Sequence, residues 1–276
     1  MDRNPECELL HLRLYKPTLC MTLIHDTRRD QHAKMAKLLK NGTVITFDNT
    51  TETIKVLSKA SILIKNGRIA SITAEHDTPV PPANTTVIDV HGKIITPGFI
   101  NTHTHMWQTV YRSMGPNVTL ADYFNWTSQT SPATALFSPE DIHTSCLEGY
   151  MEGLHAGVTS FVEHAHNNWS AEAVEPGLDA AVQSGARVWW CYDVAQRDGF
   201  PRSEQWEVLE RVGRLVRSSG PESLVHLGLA VDGLSGLFRS DPDGHVGHAR
   251  EMIKYACLPS LSPLPSPLPW YIKQNG

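Results

Sequence analysis

The 276-residue chain lacks a basic excess: 24 Lys and Arg face 29 Asp and Glu, a formal charge of −5 with histidine neutral. Nucleic-acid-binding surfaces normally carry the opposite sign, so that class of partner is excluded. Nowhere does an apolar run approach the roughly eighteen residues of a membrane span. Asp2, Glu6 and Glu8 occupy the stretch where a secretory leader would be basic. The chain is therefore expected in the cytoplasm, without membrane contact. Five cysteines (Cys7, Cys20, Cys146, Cys191 and Cys257) form no Cys-x-x-Cys pair, and their odd number and scatter exclude a disulfide framework and a zinc knuckle. With 41% apolar and 19% charged residues, the composition is that of a folded chain with ample core rather than a disordered one. What the sequence does hold in quantity is histidine, 14 residues in all.

Four regions differ in texture. Residues 1–36 keep no period for long and read as a poorly ordered extension. Residues 37–95 hold β-branched runs, 38–47, 60–72 and 86–90, punctuated by Asn41-Gly42 and Asn66-Gly67, two dipeptides that signal hairpins. A small antiparallel β unit is expected there. From 96 to 257 strands alternate with helix-length segments. Strands are expected over 98–104, 158–164, 187–192 and 224–231, and helices over 138–155, 171–184 and 203–218, the first opening on Ser138 and Asp141 as a capping box. Strand and helix in alternation imply parallel β with crossovers. Residues 258–276 begin with twelve positions built from Leu, Pro and Ser, five of them proline, which forbid helix and central strand alike.

The densest chemistry lies in Thr96-Pro97-Gly98-Phe99-Ile100-Asn101-Thr102-His103-Thr104-His105. Residues i and i+2 of a strand share a face, so His103 and His105 present two imidazoles side by side, a pair suited to one divalent ion such as zinc or iron. A second such pair, His164 and His166, ends the next strand. It is open to metal binding, substrate contact or a polar strand end. Trp107 and Gln108 follow the first pair, placed to stack on and hydrogen-bond a flat heteroaromatic substrate, with core packing the alternative for the tryptophan. Met114, Tyr123, Phe124 and Trp126 fall in the long loop beyond. Asp193 and Asp232 end later strands and read as caps or turn residues, with a functional acid the alternative, while His226, His143, His155, His245 and His248 read as structural or solvated.

A bare His-x-His also serves cupins and metallo-β-lactamases, but the latter want an aspartate soon after the second histidine, and Met106-Trp107-Gln108 stand there. The longer run from Asp89 through Gly92-Lys93 and Pro97-Gly98-Phe99-Ile100-Asn101 to His105 resembles the amidohydrolase superfamily. The likeness continues through Ser138-Pro139-Glu140-Asp141-Ile142, Gly153 to Phe161 and Ser184 to Val188. It is similar to the branch holding chlorotriazine hydrolases, cytosine deaminase-like enzymes and methylthioadenosine deaminases. The resemblance implies an α/β fold with an incomplete TIM-like (β/α) barrel, about four of eight units, behind a small β-sandwich fragment.

By that resemblance the function is metal-dependent hydrolysis of carbon–nitrogen bonds other than peptide bonds. His103 and His105 would hold one divalent ion, zinc or iron, and the substrate would be a small heterocycle met by Trp107, Gln108, His164 and His166. The family's later ligands and its acid/base residues have no counterpart in this sequence, so the site is expected incomplete and its catalytic groups stay unassigned. The resemblance also implies C-terminal truncation. Two rival readings remain: a non-catalytic truncated relative, and an interaction protein using the proline-rich tail. A homo-oligomer is compatible with either.

Overall fold

The computed structural model describes residues 36–48, 50–74, 77, 80–115, 117–126, 128, 131–195, 197, 199–220, 223–230, 247, 250, 252 and 254. The expected extension before Ala36, the proline-rich tail, Asp232, His245 and His248 lie outside the described residues. The chain divides into two compact units between Pro97 and Gly98.

The first unit is one sheet of β1 (Lys37–Asp48), β2 (Thr53–Lys65), β3 (Arg68–Thr73), β4 (Thr86–Asp89) and the two-residue β5 (Ile94–Ile95), in the order β3-β2-β1-β4 with β5 also on β1. Pairing is antiparallel from β1 to β2 and from β2 to β3, but parallel from β1 to β4 and β5. The sheet is therefore mixed, where the sequence led to an antiparallel expectation. Asn66-Gly67 makes the expected hairpin, with φ of 52° and 70° at the two turn residues, the left-handed pair that a tight β-turn of this kind requires. Asn41-Gly42 does not. It lies within β1 as a bulge, Asn41 at φ 69°, where β1 exchanges β4 for β5 as its neighbour. A Cβ on Gly42 would stand 3.0 Å from the Val90 and Ile95 side chains, so a larger residue at the exchange point would have to push them aside. Val44, Ala60 and Ile62 form the buried centre of this sheet.

The second unit is a four-stranded parallel sheet, β6 (Phe99–Thr104), β7 (Val158–Ala165), β8 (Arg187–Asp193) and β9 (Val225–Ala230), in sequence order. The helices α1 (Leu120–Trp126), α2 (Pro139–His155), α3 (Ala171–Ser184) and α4 (Arg202–Ser218) lie between the strands. The start of α2 is written in its sequence: the Ser138 hydroxyl accepts the Asp141 N–H, the Asp141 carboxylate accepts the Ser138 N–H, and Pro139 opens the first turn. Gly185, left-handed at φ 72°, ends α3. Along β7 Phe161, Glu163 and Ala165 are buried while Val162 and His164 are half-buried, the period-two signature of a strand whose faces differ. A Cβ on Gly153 of α2 would sit 2.6 Å from the Phe161 ring, which places the Phe161 face of β7 against that helix. His164 belongs to the opposite face.

Candidate metal centre

His103 and His105 sit at the C-terminal end of β6 with their Nε2 atoms 3.1 Å apart, so strand alternation brings the two imidazoles together. His105 Nδ1 lies 2.9 Å from the carbonyl oxygen of His164. A carbonyl only accepts, so Nδ1 carries the proton and Nε2 keeps its lone pair, turned toward His103. His164 adds a third imidazole from β7, and one ring nitrogen from each of His103, His105 and His164 falls within a set no wider than 4.8 Å. Two nitrogens bound to one tetrahedral ion at ~2.0–2.1 Å stand about 3.3 Å apart. The 3.1 Å separation of His103 and His105 fits that bite, and three neutral imidazoles are a donor set that zinc and iron accept.

Beyond the trio, the Asp193 carboxylate at the end of β8 lies 3.9 Å from His164 Nε2. It is fully buried and paired with the Arg197 guanidinium at 2.8 Å. The same guanidinium donates to the Asn168 side-chain oxygen at 3.0 Å, and the Asn168 amide donates to the Asp193 carbonyl. A charged pair removed from water is tolerable only with its remaining polar sites satisfied, which Asn168 helps to do. The sequence favours a cap or turn over a functional acid for Asp193 and carries no signal for Asn168 or Arg197. These contacts run between loops following β7 and β8, and no spacing rule links those loops.

His166 parts from His164. β7 ends at Ala165, the His166 N–H turns back to the His164 carbonyl at 3.0 Å, and the His166 ring becomes buried. There its Nδ1 accepts the Trp107 indole N–H at 2.8 Å, and its ring packs against His105 at a 38° tilt with centroids 4.0 Å apart. Burial, reinforced by His105, His164 and Arg197, pushes its pKa down to about 2, so it is neutral. Trp107 is fully enclosed among Tyr111, Phe137 and Trp169. Gln108 exchanges hydrogen bonds with the Tyr123 hydroxyl at 2.8 and 3.1 Å, while Met114 and Phe124 are exposed. Glu163, next to His164 in sequence, faces away from the trio with Phe161. Burial raises its pKa to about 8, opposed by the nearby Met106 backbone N–H. His226 on β9 lies beside Trp189, 5.5 Å between centroids.

A parallel α/β sheet carrying convergent imidazoles at its strand ends defines a class of α/β proteins with a metal-type site at the C-terminal edge of the sheet. A sequence profile of the amidohydrolase family matches residues 94–221. The 5'-deoxyadenosine deaminase of Methanosarcina mazei is 30% identical over 191 residues, covering 67% of this chain and 42% of that protein. The 5-methylthioadenosine/S-adenosylhomocysteine deaminase of Caldicellulosiruptor saccharolyticus is 34% identical over 157 residues, 56% of this chain and 35% of that protein. In fold, the chain is similar to the triazine hydrolase from Arthobacter aurescens, with a TM-score of 0.58 at 20% identity over 79% of this chain and 51% of that one. Residues 94–221 belong to the amidohydrolase family. The chain spans well under half the length of the two deaminases it matches.

Proposed function

We propose that this chain carries the metal-binding portion of a hydrolase that cleaves a carbon–nitrogen bond of a small heterocycle, a purine nucleoside or related compound. The observation that carries the reading is the convergence of His103, His105 and His164 at the ends of two parallel strands. Two deaminase relatives, each named for an adenosine derivative, support the reaction class. The sequence-ordered parallel strands support a (β/α) barrel of which four units are described here, with the mixed sheet as part of an accompanying β-sandwich. The negative charge supports a small-molecule partner rather than nucleic acid.

In this reading His103, His105 and His164 hold one zinc or iron ion, which when bound supplies Lewis-acid activation of water. His105 is oriented by the His164 carbonyl, which fixes its ligating nitrogen before any ion arrives. Asp193, anchored by Arg197, places its carboxylate 3.9 Å from His164 Nε2, at the edge of the trio. Gln108 and Tyr123 form a polar pair able to meet a substrate edge. Asp193, whose carboxylate lies 3.9 Å from His164, is engaged with Arg197, while Glu163 faces the helices. That favours a second reading, in which this chain binds metal without turnover. The test is ammonia release from 5'-deoxyadenosine and 5-methylthioadenosine by zinc-loaded protein, with metal content measured in the same sample. Metal with turnover supports the first reading, metal without turnover the second, and absence of stoichiometric metal defeats both.

A further inference from the structure

His166 lies 4.0 Å from His105, centroid to centroid, yet stands outside the convergent trio, and the structure contains a reason. The Trp107 indole nitrogen can only donate, and it donates to His166 Nδ1 at 2.8 Å. An imidazole whose Nδ1 accepts a hydrogen bond is by that bond a neutral ring, with its one proton on Nε2. The indole cannot turn aside, because Tyr111, Phe137 and Trp169 pack edge-on against it with centroids 5.8, 5.4 and 5.1 Å away and no part of it reaches solvent. Both ring nitrogens of His166 are thereby committed, one to the indole and one to a proton. A metal takes an imidazole only through an unprotonated lone pair.

We propose that Trp107 is a positioning residue that locks His166 in the Nε2–H tautomer, keeping it out of the ligand set and packed against His105. A site with three protein ligands keeps a coordination position open, whereas a fourth imidazole would close it in the manner of a structural metal. Trp107 touches neither ion nor substrate in this role; it acts through His166. The part concerning the ligand set rests on the metal reading above, while the tautomer does not.

The test is nitrogen NMR on the 276-residue chain labelled with ¹⁵N at histidine and tryptophan. In wild-type protein without metal, a scalar coupling between Trp107 Nε1 and His166 Nδ1 across the hydrogen bond is expected, with Nδ1 unprotonated. On titration with zinc, resonances of His103, His105 and His164 should move and His166 Nδ1 should keep its coupling to Trp107. Trp107→Phe, which keeps an aromatic ring and removes the N–H, should leave His166 populating both tautomers. A protonated His166 Nδ1 in wild type, a zinc-bound His166, or an unchanged tautomer in Trp107→Phe would overturn the proposal. If Trp107→Phe does not fold, the two wild-type experiments decide. Zinc that moves no histidine would defeat the metal reading and leave the coupling to decide the tautomer lock alone.

Discussion

Glu163 and His164 are adjacent in the chain and serve opposite faces of one strand. His164 joins the imidazole trio, and Glu163 is buried on the helix side with its pKa raised to about 8 by loss of water. A carboxyl with a raised folded-state pKa binds its proton more tightly in the folded chain. Its contribution to stability is therefore complete below the unfolded value near 4.5 and is lost as pH rises to about 8. His166, pushed the other way, costs stability as pH falls below about 6.5, so the two trends offset each other between the unfolded values and wild-type stability alone does not separate them. Glu163→Gln does. The stability of this variant relative to wild type should increase with pH at up to ~1.4 kcal/mol per unit between about pH 5 and 8, measured by urea denaturation at a series of pH values. A difference independent of pH would show that Glu163 is not buried as described.

Helix α2 illustrates how close packing overrides propensity. Alanine normally favours a helix interior over glycine by about 1 kcal/mol, yet a Cβ at Gly153 would meet the Phe161 ring at 2.6 Å. That ring is buried and packs edge-on against the buried Tyr150. Overpacking costs ~1–3 kcal/mol, so Gly153→Ala should lower stability by roughly 1 kcal/mol net in thermal or urea unfolding; a stabilised variant would contradict the packing.

Most elements of the second unit were legible because their signals are local: β-branched runs for strands, Ser138 with Asp141 for the start of α2, alternation for His103 and His105. What was not legible depends on neighbours distant in sequence. The period-two rule carries His166 onto the His164 face, but the strand ends one residue too early. The same rule extended from His103 and His105 reaches Trp107, but the chain enters a 3-10 turn at Met106 and delivers the indole to the core. Asn41-Gly42 carries the composition of a hairpin turn and supplies a bulge instead, because the need for positive φ is common to both.

Taken as a whole, the parallel sheet is bounded by β6 and β9, and among the described residues neither has a partner on its outer side. Phe99 and Ile100 on β6 are 65% and 67% exposed. Strand edges with exposed apolar side chains recruit further chains. The protein should therefore run as a dimer or larger species in light scattering at micromolar concentration, and a monodisperse monomer with a sharp cooperative transition would contradict this.

The metal centre is the claim on which the functional account depends, and equilibrium dialysis of the wild type and four histidine variants against zinc tests it most directly. The account expects one zinc per chain in wild type and in His226→Ala, whose ring lies beside Trp189 rather than among the trio. His103→Ala, His105→Ala and His164→Ala should each weaken binding by more than the ~10–100-fold typical of losing an outer-shell partner. Wild-type protein that retains no zinc, or His164→Ala that binds as tightly as wild type, would contradict the three-histidine site.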